Sequence, residues 1–229
     1  ADNIGLIVDP HFTNYSQLTS FLALFALILF SLQIYFDFSG YSDIARGLAF
    51  LFGIKLMINF NQPYFSKSPS EFWRRWHISL STWLRDYLYI PLGGNRCGSL
   101  RTNINLMVTM LLGGLWHGAS WNFVLWGGLH GIYLIFNKII ANSFPFKGTI
   151  NNQSIIALGK VLFTYTLILI TWLPFRVKDL NVTYSIMNKI LCWTGGVNYG
   201  DIILVFFFLS LFLAIDLPAY YLKTELFLF

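Results

Sequence analysis

The feature that constrains the fold most strongly is an uncharged stretch. It is too long to cross a membrane only a single time. Residues 102–137, 36 in all, contain no Lys, Arg, Asp or Glu. One helix of this length would measure roughly 54 Å, whereas the hydrocarbon core of a bilayer is about 30 Å thick. The stretch must therefore break, and the sequence predicts the break at residues 113–118, with Ser120 capping the helix that follows. Non-helical backbone at membrane depth is tolerated only where it is buried in protein or lines a cavity.

The composition places the rest of the chain in a membrane as well. Of the 229 residues, 56% are hydrophobic and 11% are charged, against about 25% charged in soluble domains. Apolar segments at 21–36, 155–175 and 202–215 predict further spans, and 142–154 reads as a polar loop. The segment 37–57 contains Asp43 and Arg46, which predicts a separate helix packed inside the bundle. The fold class expected is an all-α, polytopic membrane bundle forming one domain over 1–229.

The basic residues are concentrated in one segment. The net charge is +5, and seven of the 15 Lys and Arg residues lie between Lys55 and Arg101. This pattern is typical of a cytoplasmic membrane loop under the positive-inside rule, and it argues against a nucleic-acid-binding face. The two cysteines form no pair motif, so neither a disulfide framework nor a zinc ribbon is expected. Because the chain begins at Ala1 without an initiator Met or a signal-peptide pattern, a fragment of a longer protein is expected.

A helix is predicted from Ser68 to about Tyr89. Ser68 is a suitable cap, Pro69 suits the first helical position and Glu71 completes a capping box. If the helix is continuous, its aromatic residues share one face with His77 at the edge, which predicts an interfacial amphipathic helix. The expected apolar face comprises Trp73, Trp76, Leu80, Trp83, Leu84 and Tyr87, and the polar face Arg74, Arg75, Thr82, Arg85 and Asp86.

The chemistry-bearing candidates are histidines at positions 11, 77, 117 and 130. His117 has the strongest physical case because it lies at the predicted break, where burial would keep its imidazole neutral and able to accept a hydroxyl proton. A structural histidine is the alternative for each, and it is favoured for His130, because glycines within 127–131 suit tight helix packing. On a continuous helix the two would lie roughly 140° apart, so they need not share a site. His11 receives no role.

Other kinds of site are excluded by spacing. The sequence has no His-Glu-x-x-His motif, no Gly-x-Ser-x-Gly elbow and no phosphate-binding P-loop. The scattered histidines do not show the spacing of a zinc site, so no metal is expected.

Three sequence blocks carry a family resemblance. They are YFDFSGYSD at 35–43, FWRRWHISLSTW at 72–83 with YIPLGG at 89–94, and GGLWHGA at 113–119 with further matches at 126–131. The chain resembles the membrane-bound O-acyltransferase family, and within it the subgroup of bacterial alginate O-acetylation membrane subunits. The D-alanine exporter of teichoic acid modification is a more distant member. The resemblance covers residues 1–138, whereas 139–229 match only as generic transmembrane helices.

The resemblance implies a funnel through the membrane, with the N-terminal part of the fold lying outside this chain. It also implies that His117 and His77 are catalytic. His117 would act as a general base or hold the acceptor hydroxyl, and His77 would orient it or shuttle the proton. The tunnel-lining or donor-binding residues expected are Trp76, Trp116, Arg74, Arg75, Asn122 and His130.

The resemblance further implies the substrates and surroundings. The donor would be acetyl-CoA or another acyl thioester, with no bound cofactor, and the acceptor would be an envelope polysaccharide. An extracytoplasmic O-acetyltransferase partner and a location in the lipid of the bacterial inner membrane are expected. A non-catalytic acyl conduit and a proton-coupled transporter using His77 and His117 as a relay stay open as alternatives. The lack of an inverted repeat counts against the transporter.

Overall fold

The structure, a computed structural model, describes residues 1–143, 153–177, 179–193, 195–196 and 199–222. These residues form nine α-helices and contain no β-strand, which confirms the all-α class. The helices are α1 (Asp2–Thr13), α2 (Ser20–Leu51), α3 (Pro69–Arg75), α4 (Ile78–Leu84), α5 (Gly98–Trp116), α6 (Trp121–Ser143), α7 (Gln153–Arg176), α8 (Leu180–Cys192) and α9 (Tyr199–Leu222). A π-helical turn, Arg85–Tyr89, follows α4.

Four of these helices, α2, α6, α7 and α9, are long and apolar enough to cross a bilayer. Their most apolar windows have mean hydropathies between 1.4 and 2.5. The spans predicted at 21–36, 155–175 and 202–215 are therefore confirmed as parts of α2, α7 and α9. The polar loop predicted at 142–154 begins in α6 and ends in α7, and its middle, 144–152, lies outside the described residues.

The chain divides into two compact units. We call Ala1–Ile58 with Arg176–Phe229 the terminal unit, and Asn59–Phe175 the central unit. The single membrane domain expected over 1–229, with motif blocks in 1–138 and membrane helices in 139–229, stays a prediction.

The terminal unit is organised around the first half of α2. Thr19 caps this helix, because its Oγ1 accepts a hydrogen bond from the backbone N–H of Leu22. The small and apolar side chains of Ala23, Leu29 and Leu32 are fully buried, and α2 packs against α1, α8 and α9. Burial of this stripe stabilises the unit.

Polar contacts within the terminal unit join residues far apart in sequence. The hydroxyl of Tyr35 donates to Oδ2 of Asp216 at 2.8 Å, inside the packed region between α2 and α9. The ammonium of Lys189 donates to three backbone carbonyls of residues 15–18 at 2.7 to 3.1 Å. Arg176 pairs with Asp9 at 2.6 Å. Only the contact between Tyr35 and Asp216 is fully buried, and it satisfies polar groups that would otherwise be costly to bury.

The expectation of a separate helix over residues 37–57 is wrong, since α2 runs unbroken through residue 51. Tyr41, Ile44 and Phe50 are all more than 60% exposed in this chain, and the packing of the segment inside a bundle stays a prediction. The two charges that suggested burial, Asp43 and Arg46, are one helical turn apart and pair with each other at 3.5 Å. A local ion pair of this kind does not require a protein interior around it.

The central unit is organised around the close hairpin of α5 and α6. A Cβ atom added to Gly114 would clash with the carbonyl oxygen of Phe123, and one added to Gly127 would clash with the carbonyl oxygen of Met110. The two helix backbones therefore touch at positions where only glycine fits, as the glycine pattern predicted. The break at residues 113–118 is also confirmed, because α5 ends at Trp116 and α6 begins at Trp121.

The single helix predicted from Ser68 to Tyr89 is wrong beyond its first two turns. Its start is confirmed, since Oγ of Ser68 accepts from the N–H of Glu71 at 3.2 Å. The helix ends at Arg75, however, and His77 adopts a left-handed conformation before α4 begins. At this break, residues 59–61 form tertiary hydrogen bonds with the backbone of residues 75–79.

The continuous apolar face predicted for this helix is therefore also wrong. Trp76, Leu80 and Leu84 are buried, whereas Trp83 is 53% exposed and Tyr87 is 71% exposed. The change of direction at His77 and the π-helical turn after α4 both alter the rotation that a uniform 100° per residue would give.

Candidate active site

His117 lies in the tight turn between α5 and α6. Its backbone N–H donates to the carbonyl of Gly114, which closes the last turn of α5. The next residue, Gly118, has φ +151, and a Cβ there would meet the ring of Phe123 at 2.9 Å. Oγ of Ser120 then accepts from the N–H of Asn122, so Ser120 caps α6 as predicted. The turn holds His117 at a helix end rather than on a helix face.

Aromatic rings surround the imidazole of His117. The ring centroids of Trp116, Trp126 and Phe175 lie 5.0, 5.2 and 5.0 Å away, and that of Phe123 lies 5.9 Å away. This burial lowers the pKa of His117 to about 4. The imidazole is consequently neutral at pH 7, which is the form that accepts a proton from a hydroxyl.

His77 occupies the position immediately before α4, with φ 43 and ψ 56. A residue other than glycine in this left-handed region carries a strain of about 1–3 kcal/mol unless its surroundings enforce the conformation. Nδ1 of the ring lies 3.4 Å from Oγ of Ser79. Burial, and to a smaller extent repulsion by the nearby His117, together lower the pKa of His77 to about 4.

The structure therefore brings the two predicted catalytic histidines together. The ring of Trp116 contacts both, at 6.4 Å from His77 and 5.0 Å from His117. Trp116 itself is 61% exposed, so this grouping lies at the accessible edge of the unit.

His130 is held differently from the other two histidines. Its side chain is fully buried on α6, and its Nδ1 accepts a hydrogen bond from Nε1 of Trp73 at 3.2 Å. Because Nδ1 is an acceptor, the proton of the neutral ring is on Nε2. Its ring contacts Phe72 at 6.2 Å and Trp126 at 4.7 Å. Trp126 thus lies next to both His117 and His130. The angle of roughly 140° between these two residues on a continuous helix did not predict a shared neighbour.

Three buried N–H groups near this cluster have no acceptor among the described residues. They are Nε2 of His130 and Nε1 of both Trp126 and Trp172. Each side chain is at most 2% exposed. A buried donor without a partner costs about 1–3 kcal/mol. These three N–H groups are therefore unusual polar features of an otherwise apolar cluster.

The remaining predicted residues occupy distinct surroundings. Trp76 is 5% exposed and packs against Phe60 and Trp172 at 4.9 and 5.1 Å. Arg75 pairs with Glu71 at 2.7 Å, whereas Arg74 is exposed. Asn122 is buried in the first turn of α6. Roles for all of these in binding a donor stay predictions.

Two parts of the site were missed by the sequence reasoning. Phe175, at the end of α7, lies 58 positions from His117 and has no local pattern that marks it as a neighbour. Asn59 supplies the hydrogen bonds that start α4 from 18 positions before His77. Both contacts are tertiary, so no signal within one helix could have shown them. Among the described residues, no three His, Cys, Asp or Glu side chains are grouped as metal ligands.

The family model for membrane-bound O-acyltransferases matches residues 6–175. The chain belongs to this family. The matched region contains the whole central unit, and with it both His77 and His117. Family membership and the four apolar helices together establish an integral membrane protein.

Curated relatives show which members of the family this chain is similar to. The chain is 46% identical to the probable alginate O-acetylase AlgI of Azotobacter vinelandii over 197 residues, which are 85% of this chain and 38% of that protein. It is 42% identical to the probable alginate O-acetylase AlgI of Pseudomonas aeruginosa over 225 residues, 93% of this chain and 42% of that protein. A peptidoglycan O-acetyltransferase of Helicobacter pylori is 41% identical over 195 residues, 85% of this chain and 36% of that protein. The chain therefore spans about two fifths of the length of these relatives.

Proposed function

We propose that this chain is part of an O-acyltransferase that moves an acetyl or other acyl group from a cytoplasmic thioester across the membrane. The final acceptor is a hydroxyl of an extracellular or cell-envelope polysaccharide, to which an extracytoplasmic partner completes the transfer. The observation that carries this proposal is the grouping of His77 and His117 around Trp116. The names of relatives, alginate O-acetylase and peptidoglycan O-acetyltransferase, support the substrate class.

His117 acts as the general base in this proposal. The acceptor hydroxyl oxygen attacks the carbonyl carbon of the thioester, while neutral His117 takes the hydroxyl proton. The carbon–sulfur bond then breaks, and His117 returns the proton to the departing thiolate. The aromatic rings around His117 limit the access of water, which would otherwise hydrolyse the thioester. No bound cofactor is needed, because acetyl-CoA or another acyl thioester is itself the donor.

His77 assists by orienting the acceptor or by relaying the proton. Both imidazoles are neutral at pH 7, and their repulsion when protonated disfavours two charges at once. One proton can therefore be held by the pair and passed between its members. The same arrangement would suit a proton-coupled transporter. The test must therefore distinguish transfer of an acyl group from proton-coupled flux of a substrate.

The exposed basic residues offer a surface for the phosphates of coenzyme A. Arg75 and Arg85 already pair with Glu71 and Asp86, at 2.7 Å each, whereas Arg74 is exposed next to Arg75. Arg74 is accordingly the better candidate of the three for contact with the donor. The proposal includes the bacterial inner membrane as location and an extracytoplasmic O-acetyltransferase that completes the transfer.

The test measures acetyl transfer by the full-length protein in membranes supplied with radiolabelled acetyl-CoA. The wild type is compared with His117→Ala and His77→Ala at matched expression, and His11→Ala serves as a control histidine in the terminal unit. Removal of a general base lowers rates by about 10²- to 10⁴-fold. We expect such a loss for His117→Ala, a smaller loss for His77→Ala and none for His11→Ala.

The alternatives predict different outcomes. A conduit without chemistry would keep polysaccharide labelling in His117→Ala, which would contradict the proposal. A transporter would show proton-coupled flux of the substrate without consumption of the thioester, and it would contradict the proposal equally. Loss of labelling with normal folding of His117→Ala supports acyl transfer.

A further inference from the structure

The conformation of His77 raises the question of what holds it. The left-handed backbone at this position is strained for histidine, and it interrupts a helix that the sequence would otherwise continue. We propose that Asn59 is a positioning residue, which enforces this conformation and thereby directs the imidazole of His77 towards Trp116 and His117. The inference rests on the proposed function, because it assigns a catalytic consequence to the position of His77.

Asn59 takes over the capping of α4 from outside the helix. Its backbone carbonyl accepts from the N–H of Ile78 at 3.0 Å, and its side-chain Oδ1 accepts from the N–H of Ser79 at 3.1 Å. These are the first two amides of α4, which have no acceptor within the helix. The residue at the cap position normally supplies that acceptor, but the side chain of His77 makes no cap hydrogen bond. Its imidazole instead contacts Trp116.

The neighbouring Asn61 closes the other side of the break with its backbone. Its N–H donates to the carbonyl of Arg75 at 2.9 Å, and its carbonyl accepts from Nη1 of Arg75 at 3.3 Å. Between the two asparagines, the ring of Phe60 packs on Trp76 at 4.9 Å. The segment 59–61 thus holds the end of α3 and the start of α4, and only at Asn59 does a side chain provide one of these backbone hydrogen bonds.

This difference supplies a matched pair of variants. Asn59→Ala removes the Oδ1 acceptor and leaves the N–H of Ser79 unpaired, whereas Asn61→Ala keeps the backbone contacts. Asn59→Asp restores an acceptor that suits a helix start as well as asparagine does. Because misplacing a catalytic group by about 1 Å can lower a rate 10²-fold, we expect kcat to fall about 10- to 100-fold in Asn59→Ala. The KM for acetyl-CoA should change little.

The experiment measures kcat and KM for acetyl transfer by the full-length protein in membranes. Asn61→Ala should match the wild type, and Asn59→Asp should recover most of the activity lost in Asn59→Ala. In the His77→Ala background, Asn59→Ala should cause no further loss, because its effect acts through His77. Where His77→Ala is too slow to measure, the recovery in Asn59→Asp decides alone.

Two results would overturn the inference. One is wild-type activity in Asn59→Ala. The other is an equal loss on adding Asn59→Ala to His77→Ala, which would indicate general destabilisation. The proposed function fails separately, if His117→Ala and His77→Ala both keep full transfer activity. Loss of transfer in those two variants, with additive behaviour of Asn59→Ala, would remove only the role of Asn59.

Discussion

The terminal and central units use helices in opposite ways. In the terminal unit, α2 runs for 32 residues and α9 for 24, and the hydroxyl of Tyr35 on α2 donates to Asp216 on α9. In the central unit, α3 and α4 have seven residues each, and a glycine-containing turn separates α5 from α6. The histidines proposed for catalysis lie at two of these interruptions.

This contrast shows what a helix end provides that a helix interior does not. His77 precedes α4 and His117 follows α5, so neither ring is restricted to the direction that a helix face imposes. His130, in the interior of α6, is instead completely buried by its neighbours. Long helices, which include α6 and most of α7 in the central unit, are suited to cross the membrane, and the proposal assigns the orientation of the reactive groups to the interruptions between helices. Substitutions in the two units should therefore affect stability and acetyl transfer differently.

The largest effect is expected from adding one methyl group at the point where α5 and α6 touch in the central unit. Gly127→Ala places a Cβ against the carbonyl oxygen of Met110, and backbone cannot move aside as a side chain can. Overpacking of this kind destabilises by about 1–3 kcal/mol or more. We expect a lower melting temperature in detergent and loss of acetyl transfer, measured on the purified full-length protein.

Two other glycines serve as controls for that change. Gly128 is adjacent, but its added Cβ would lie 3.7 Å from Leu111, an ordinary contact. Gly47, on α2 of the terminal unit, has nothing within 4 Å, and alanine is favoured over glycine in a helix by about 1 kcal/mol. Gly128→Ala and Gly47→Ala should therefore melt no lower than the wild type. A Gly127→Ala protein as stable as these controls would refute the close contact.

A moderate effect is expected from the buried polar contact of the terminal unit. Tyr35→Phe removes the hydroxyl that donates to Asp216 and keeps the ring. Leaving a buried acceptor unsatisfied costs about 1–3 kcal/mol, so the melting temperature should fall. The pH profile of acetyl transfer should keep its shape, since both residues lie in the terminal unit.

The matched control is Tyr41→Phe on the same helix. Tyr41 is 70% exposed, and exposed substitutions usually change stability by less than about 0.5 kcal/mol. Equal melting temperatures for the two variants would show that the contact between Tyr35 and Asp216 does not stabilise the unit.

The smallest effect concerns pH. Burial lowers the pKa of both His77 and His117 to about 4, so about 97% of either ring is still neutral at pH 5.5. Acetyl transfer should stay almost constant from pH 8 down to 5.5 and decline as pH approaches 4. With ordinary pKa values near 6.5, only about 10% of each ring would be neutral at pH 5.5.

The same shifts have a consequence for stability. Because the folded-state pKa values lie below those of the unfolded chain, the unfolded state binds more protons between pH 6.5 and 4. Stability is therefore complete above pH 6.5 and falls progressively as pH drops towards 4. A transfer rate that drops tenfold by pH 5.5 while the melting temperature holds would contradict burial as the cause of the lowered pKa values.

Much of the architecture followed from local sequence patterns. Apolar length predicted the spans of α7 and α9, and Ser68 with Glu71 predicted the start of α3. The glycines within 113–118 predicted the break between α5 and α6, and those within 127–131 predicted the close packing of α6. These features depend on neighbouring residues or on the bilayer, so periodicity and composition are sufficient to find them.

The sequence by itself determined that this chain is an all-α membrane protein, and it indicated His77 and His117 as the candidate catalytic residues. Only the tertiary structure decided how those histidines are arranged. Asn59 ends the helix that local propensity would have continued, and Phe175 completes the ring of aromatic residues around His117. Helix propensities differ by less than about 1 kcal/mol per residue, so two hydrogen bonds from a distant segment are enough to override them and reorient His77.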